Sequence, residues 1–361
     1  MKISIVTDIK NLHIDRETWN TIAAENTTNT IFQTYEWFHS WWETFGNEYK
    51  LVFVLVEDEK GLRGFAPLMI HAPKSGEAVL RFACDVNADY CDFIIRGNRL
   101  EVIEHIIDKL LLTNLGCNHI LLKNIPDYST TTACIKTVFT SRKLYLRSLK
   151  PTPTPTLIIR NHEEDAQRIA NKYSVLRHFR KLKKSGHLEF KNITNFDTPY
   201  ALENIGLFFD QHVQRYSFKK DESLFLNMKN RLFYKKLIDN MKDKDWILFS
   251  VLEYNESPIA YHFGFLYNNT LIWYKPAFDI SIKSKSPGTI MLKMLIEYAI
   301  TNGADELDYT IGNESFKKRF SNHVRQNNHI WIGRKKKDFY LKCLRTIVSG
   351  LIQRFIKSSS N

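Results

Sequence analysis

Apolar positions along the chain fall into a few clear periods. Trp37, Phe38, Trp41, Trp42 and Phe45 lie at helical spacing and predict a helix over 34–45. Residues 51–56 form a continuous apolar run, the pattern of a buried strand. The Asp58-Glu59-Lys60-Gly61 turn sends the chain back as a second strand over 62–70. Another turn, Lys74-Ser75-Gly76-Glu77, leads to a third strand over 78–83. A helix follows over 100–112, stopped near Gly116, and then a short strand over 119–123.

The second half repeats this order. A helix is expected over 223–241, with Leu224, Met228, Leu232 and Phe233 on one face. Strands are expected over 246–253, 259–266 and 270–277, with Asn255-Glu256-Ser257 and Asn268-Asn269 as their turns. A helix over 287–301, a stop at Gly303 and a strand over 306–309 complete the copy. Leu51 then corresponds to Ile247, Gly64 to Ala260 and His119 to Glu306. A repeat of this length sets the architecture, here two copies of helix, antiparallel meander, helix and strand.

Between the halves, the alternating prolines of Pro151-Thr152-Pro153-Thr154-Pro155-Thr156 favour extended backbone and read as a linker or edge strand. Residues 165–186 read as one basic amphipathic helix. Its apolar stripe is Ile169, Tyr173, Leu176, Phe179 and Leu182, and Gly186 is its C-cap. Residues 334–357 form a second basic amphipathic pattern.

The chain has 361 residues, enough for two domains, and a formal net charge of +12. That balance implies an anionic partner: a nucleotide, coenzyme A, tRNA, an acidic glycan or an anionic membrane surface. The five cysteines show no paired framework, which fits a reduced, cytoplasmic compartment. No apolar run approaches the ~20 residues of a membrane span. The twelve histidines fall in no ligand spacing, so no metal is expected. Walker, dinucleotide-binding and G-x-S-x-G motifs are also missing from the sequence.

The stretch with the most chemistry begins at Ser286-Pro287-Gly288-Thr289. Ser286 suits an N-cap, Pro287 the first helical position, and Gly288 a close approach by another group. Free N–H groups and the helix dipole there favour an anion such as phosphate. After the helix comes Asp308-Tyr309-Thr310-Ile311-Gly312-Asn313-Glu314-Ser315-Phe316-Lys317. Lys317 is a candidate for holding phosphate or a developing oxyanion; a solvated basic face with Lys318 and Arg319 is the plainer reading. Asp308 and Glu314 are candidates for a general base or for orienting an amine. A turn cap and an ion pair with Lys317 or Lys318 are their plainer readings. Tyr274, Asp279 and Asp92 are candidate substrate contacts, against roles as core-edge aromatic, turn residue and turn cap. The tryptophans at 37, 41 and 42 read as core rather than as a sugar platform.

Three motifs carry a family resemblance: Phe32-Gln33-Thr34-Tyr35-Glu36-Trp37-Phe38 with Trp41-Trp42 and the later Gly64-Phe65-Ala66-Pro67-Leu68; Tyr274-Lys275-Pro276-Ala277-Phe278-Asp279 with Ser286-Pro287-Gly288; and Asp308-x3-Gly312-x-Glu314-x-Phe316-Lys317-x2-Phe320. Over roughly residues 30–330 the chain resembles tandem-lobe GCN5-related N-acetyltransferases (GNAT) of the CelD-like branch of bacterial polysaccharide synthesis. That branch is related in fold to the Fem-type aminoacyl-tRNA-dependent transferases. Phe316 and Phe320 stand where relatives often carry tyrosine and tryptophan, and the Ser-Pro-Gly loop is poorer in glycine than the usual acyl-CoA loop.

The resemblance implies an α+β fold of two GNAT-like lobes, each a mixed, mostly antiparallel sheet flanked by helices. The first would span 1–150, the second 151–333 with the inserted basic helix, and a basic C-terminal helix 334–361. It implies an N-acyltransferase moving an acyl group from acyl-CoA, such as acetyl-CoA, to an amine of an amino sugar or cell-envelope precursor. Ser286, Pro287, Gly288 and Thr289 would hold the donor, Phe316 would lie near it, and Lys317, Glu314 and Asp308 would serve the chemistry. The alternatives are a Fem-like transferase using charged tRNA and a non-catalytic scaffold of an envelope-polysaccharide complex. The C-terminal basic helix suggests peripheral attachment to the inner face of an anionic membrane.

Overall fold

The computed structural model describes residues 1–73, 77–142, 145–217 and 222–333. The basic C-terminal segment with Cys343, and the expected turn at residues 74–76, lie outside these residues.

In chain order the first elements are β1 (Lys2–Val6), α1 (Arg16–Glu25), α2 (Tyr35–Phe45), β2 (Lys50–Asp58), β3 (Gly61–His71), β4 (Val79–Phe82) and β5 (Ile94–Ile95). Then come α3 (Arg99–Leu112), β6 (His119–Pro126), α4 (Thr131–Ser141), β7 (Leu146–Ile158), α5 (Glu163–Ala170), α6 (Tyr173–Ser185), β8 (Leu188–Ile193) and α7 (Pro199–Tyr216). The last are α8 (Met228–Met241), β9 (Ile247–Tyr254), β10 (Ser257–Tyr267), β11 (Thr270–Phe278), α9 (Pro287–Thr301), β12 (Glu306–Asp308), α10 (Ser315–Phe320) and β13 (His323–Gly333). Among the described residues, no helix is long and apolar enough to cross a membrane.

The chain divides into two units, and neither is a continuous stretch. Unit 1 holds Met1–Tyr35, Gly46–Pro151 and the described residues 327–333; unit 2 holds Glu36–Phe45 and Thr152–Gln326. The aromatic helix α2 therefore belongs to unit 2, although its sequence lies within the first half. Its Trp37 ring meets Phe233, Phe265 and Tyr274 of that unit edge-on.

In unit 1, β1, β2, β3 and β4 pair antiparallel in that order. Helix α3 then carries the chain to β6, which pairs parallel with β4 from Val79↔His119. The 327–333 part of β13 closes the other side of β6, antiparallel. Unit 2 repeats the arrangement. β8, β9, β10 and β11 are antiparallel neighbours. Helix α9 crosses to β12, which pairs parallel with β11 from Thr270↔Glu306. His119 and Glu306, matched in the sequence, each open the strand that follows the crossover helix. A parallel pair needs such a crossover, which is why the same helix recurs at the same place in both copies.

Four expectations change in detail. The helix expected over 223–241 is broken at Asn227, whose backbone is extended and whose side chain caps α8 by accepting from Lys229 N. Residues 165–186 form two helices, α5 and α6, parted at Asn171-Lys172; Tyr173 is 81% exposed and Val175 takes the buried place expected for it. Gly186 is extended at φ 174 rather than left-handed. The proline-threonine run, read as a linker or edge strand, lies within the strand β7, where the carbonyls of Pro153 and Pro155 accept from Gly312 N and Tyr309 N. A proline in a strand lacks a donor but keeps its acceptor, and here Pro153 and Pro155 supply acceptors.

Candidate functional site

The site forms where β11 and β12 part. Their parallel pairing covers three residues and ends at Ile272↔Asp308. In a parallel α/β unit, the space beyond the carboxyl ends of the strands faces the N-terminus of the crossover helix, and ligands collect there. Here that space is a cavity of about 280 Å³ lined by Trp273, Pro276 and Phe278 from β11, Ser286 to Thr289 and Leu292 around the start of α9, Phe316 and Phe320 from α10, and Arg215 and Lys283.

A β-bulge aims the β11 side chains. Phe265 of β10 faces Ile272, whereas Phe263, two residues back, faces Lys275. The extra residue on β11 resets the alternation of faces. Trp273 packs with Ile290 and Leu292 in the core beneath α9, while Tyr274 turns to the other face against Trp37, Tyr234 and Phe265. After the bulge, Pro276 and Phe278 fall on the Trp273 side. Gly264 stands opposite the bulge because a Cβ there would run into the His262 ring and the Ile272 carbonyl. His262 is fully buried, stacked on Trp273 at 4.8 Å, and burial pushes it down to about 3, so its ring is neutral.

The start of α9 differs from a simple capped helix. Ser286 occupies the N-cap position but is left-handed (φ 58), and its side chain makes no capping bond. Its N–H closes the preceding 3-10 turn onto Lys283 O, and its carbonyl accepts from Thr289 N and Ile290 N. Pro287 has no N–H, which leaves Gly288 N–H as the first donor of the helix. A Cβ on Gly288 would sit 3.1 Å from the Phe278 ring.

The loop after β12 is built by its own side chains. Asp308 is buried and accepts from Thr310 N at 2.7 Å, forming a strand-end turn around a left-handed Thr310. Lys317 is buried; its ammonium donates to Ile311 O at 2.6 Å and pairs with Glu314 at 3.4 Å. Gly312 has φ 152, and a Cβ there would strike Glu314 and Lys317 Nζ. Tyr309 donates to Phe320 O at 3.0 Å, tying α10 back to the strand. The Trp273 and Phe316 rings meet across the cavity at 6.4 Å.

The structure thus brings Ser286, Pro287, Gly288, Thr289 and Phe316 together on one cavity. Asp308 at the end of β12, Glu314 in the loop that follows and Lys317 on α10 are not among its lining residues. Asp279 caps the 3-10 turn before Ser286, accepting from Ser281 N. Tyr274 faces the opposite side of the sheet. Asp92 lies in unit 1, 2% exposed, where it accepts from Thr28, Ser129, Thr131, Phe93 N and Arg99. That many donors on one carboxylate leave it no capacity for a substrate.

Sequence reasoning missed Arg215. It comes from the last turn of α7, lies over the Phe278 ring at 4.6 Å, and donates to Pro276 O at 2.5 Å. Burial lowers its pKa, with Tyr216 and Glu314 acting the other way; an arginine remains a cation there. Among the described residues, the cavity therefore combines an aromatic lining, two cations and the positive end of a helix, with no acidic side chain in its lining.

Comparison with known proteins agrees with this geometry. Residues 170–318 match the sequence model of the acetyltransferase (GNAT) domain. No curated protein matches the chain. Among solved structures, FemX is similar in fold, with a TM-score of 0.62 at 10% identity over 91% of this chain and 97% of that one. A conserved protein of unknown function from Bacteroides thetaiotaomicron gives 0.60 at 13% identity, covering 92% of this chain and all of that one. The C-terminal domain of a putative lysylphosphatidylglycerol synthetase from Agrobacterium fabrum gives 0.55 at 8% identity, covering 92% and 97%. The chain has a GNAT-like α+β fold, and its residues 170–318 match a GNAT-type acetyltransferase domain that holds most of the cavity.

Proposed function

We propose that unit 2 catalyses N-acyl transfer, with the acyl donor in the cavity at the start of α9. The observation that carries this reading is the coincidence of the matched GNAT domain with an open cavity at the parting of β11 and β12. The amine nitrogen of the acceptor attacks the thioester carbonyl of an acyl-CoA such as acetyl-CoA. The C–S bond breaks, the thiolate leaves and is protonated, and the amine gives up a proton as the amide forms. Of the two carboxylates in the loop, Glu314 suits that proton better. Its side chain is 54% exposed and ion-paired to Lys317, whereas Asp308 is occupied by a backbone N–H. Lys317 serves by fixing the loop and Glu314. The resemblance of the sequence motifs points to an amino sugar or cell-envelope precursor as the acceptor.

A second reading is aminoacyl-tRNA-dependent transfer. The likeness of nearly the whole chain to FemX favours it, as does the run of cations on α6: Arg177, Arg180, Lys181, Lys183 and Lys184. Calorimetric titration separates the two. Saturable micromolar binding of acetyl-CoA, abolished by Gly288→Asp, supports a CoA donor at this helix start. No heat with acetyl-CoA, together with salt-sensitive binding of charged tRNA, replaces it with the second reading.

A further inference from the structure

A phosphate at a helix start is ordinarily held by several backbone amides. This helix start offers few. Pro287 has no N–H, and the N–H groups of Thr289 and Ile290 are bound to Ser286 O, so Gly288 alone is left to face the cavity. Cations stand where the amides are missing. Arg215 and Lys283 both line the cavity. The Arg215 guanidinium is half-buried and braced by the Phe278 ring and the Pro276 carbonyl. That carbonyl engages a single nitrogen, and the buried Nε has no partner among the described residues. A guanidinium has five N–H donors, so a planar fork remains for an oxyanion.

We propose that Arg215, Lys283 and the Gly288 N–H form a phosphate site, in which side chains rather than backbone amides carry the affinity for the donor's phosphate. Two fixed positive charges and a helix dipole match a dianionic phosphate better than a singly charged carboxylate. Glu314 lies within electrostatic reach of Arg215 and opposes the anion. The proposal rests on reading the cavity as the donor site, and the probes are chosen to test the two separately.

The experiment is a calorimetric titration with inorganic pyrophosphate and, separately, with coenzyme A, at fixed ionic strength. Pyrophosphate binds the wild-type protein and competes with coenzyme A. Arg215→Gln weakens pyrophosphate ~10–100-fold. Arg215→Lys keeps the charge, loses the fork and falls between. Lys283→Gln, at an exposed side chain that cannot disturb the core, weakens it several-fold, and Glu314→Gln tightens it. If Arg215→Gln does not fold, Lys283→Gln decides: unchanged affinity overturns the proposal. It also falls if pyrophosphate does not bind the wild type, or binds folded Arg215→Gln equally well. Coenzyme A binding that ignores Arg215 would leave the donor reading intact while removing this one. Arg215-dependent pyrophosphate binding without coenzyme A binding would do the reverse.

Discussion

In unit 1 the crossover helix α3 begins at Arg99, and its guanidinium turns back to Asp92, Thr131 and Asn26. Asp92 gathers Thr28, Ser129 and Thr131 into the same knot, so this junction is filled by the protein itself. In unit 2 the equivalent helix α9 begins at Pro287, and beyond it the strands open on a cavity lined by aromatic rings and two cations. Both junctions have the same topology: parallel strands, a crossover helix and a helix N-terminus at the strand ends. What differs is who satisfies the positive end of the helix. In unit 1 the Asn98 side chain caps α3 by accepting from Glu101 N and Asp92 pairs with Arg99 beside it, whereas in unit 2 no side chain caps α9. The two copies of the fold thus differ at this junction in a few polar residues.

The sharpest way to break this comparison is Asp92→Ala. If the knot is structural, the variant leaves a buried guanidinium and three hydroxyls without their acceptor, and urea unfolding should register a loss of about 3–5 kcal/mol. Ligand affinity at α9 should not move. A stable Asp92→Ala protein with lost ligand binding would instead make Asp92 a substrate contact and erase the contrast between the units.

Gly264→Ala tests the other side of the comparison. Its methyl group has no room beside the His262 ring and the Ile272 carbonyl. Relieving the clash means moving the bulge that aims Trp273, Pro276 and Phe278. The expected cost is about 2–3 kcal/mol, with weaker acetyl-CoA binding in the protein that remains folded. Unchanged binding would show that the bulge does not shape the cavity.

These two sites differ in how far the sequence could announce them. The meanders and crossover helices were legible because buried strands and amphipathic helices write their burial into local periods; α9 runs from Pro287 to Thr301 as read. The helix start was legible because proline and glycine carry local meaning, whereas Phe316 was read from the family resemblance alone. Arg215 was not, because it stands about sixty residues from the Phe278 ring that braces it, and α7 gives it no local mark. Asp92 read as a substrate contact or a turn cap for the same reason: its partners at 28, 99, 129 and 131 are scattered, and only the fold collects them. The bulge was hidden because one extra residue leaves the apolar run from Leu271 to Tyr274 unchanged. Helices α1, α4 and α7 and strands β1, β8 and β13 escaped a reading that followed the strongest patterns alone.

Gly312→Ala addresses the loop beside the cavity. The backbone at φ 152 and the closeness of Glu314 and Lys317 disfavour any side chain there. A loss of about 1–2 kcal/mol is expected, together with a fall in turnover as Glu314 and Lys317 shift. Unchanged turnover would remove the 310–317 loop from the chemistry and confine function to the cavity lining.

The last effect belongs to His262 and is read through pH. Burial depresses its pKa to about 3, whereas an unfolded histidine titrates near 6.5. Below that value the unfolded chain binds a proton that the fold refuses, so the unfolded state holds more protons and stability falls as pH falls. Its contribution is fully present above about pH 6.5 and is lost progressively as pH drops toward 3, at about 1 kcal/mol per pH unit. His262→Leu should flatten that part of the stability profile between pH 6 and 4 relative to wild type. An unchanged slope would mean that the ring is protonated in the folded protein. The floor beneath Trp273 would then carry a charge, and the contrast between a polar knot in unit 1 and an apolar floor in unit 2 would not hold.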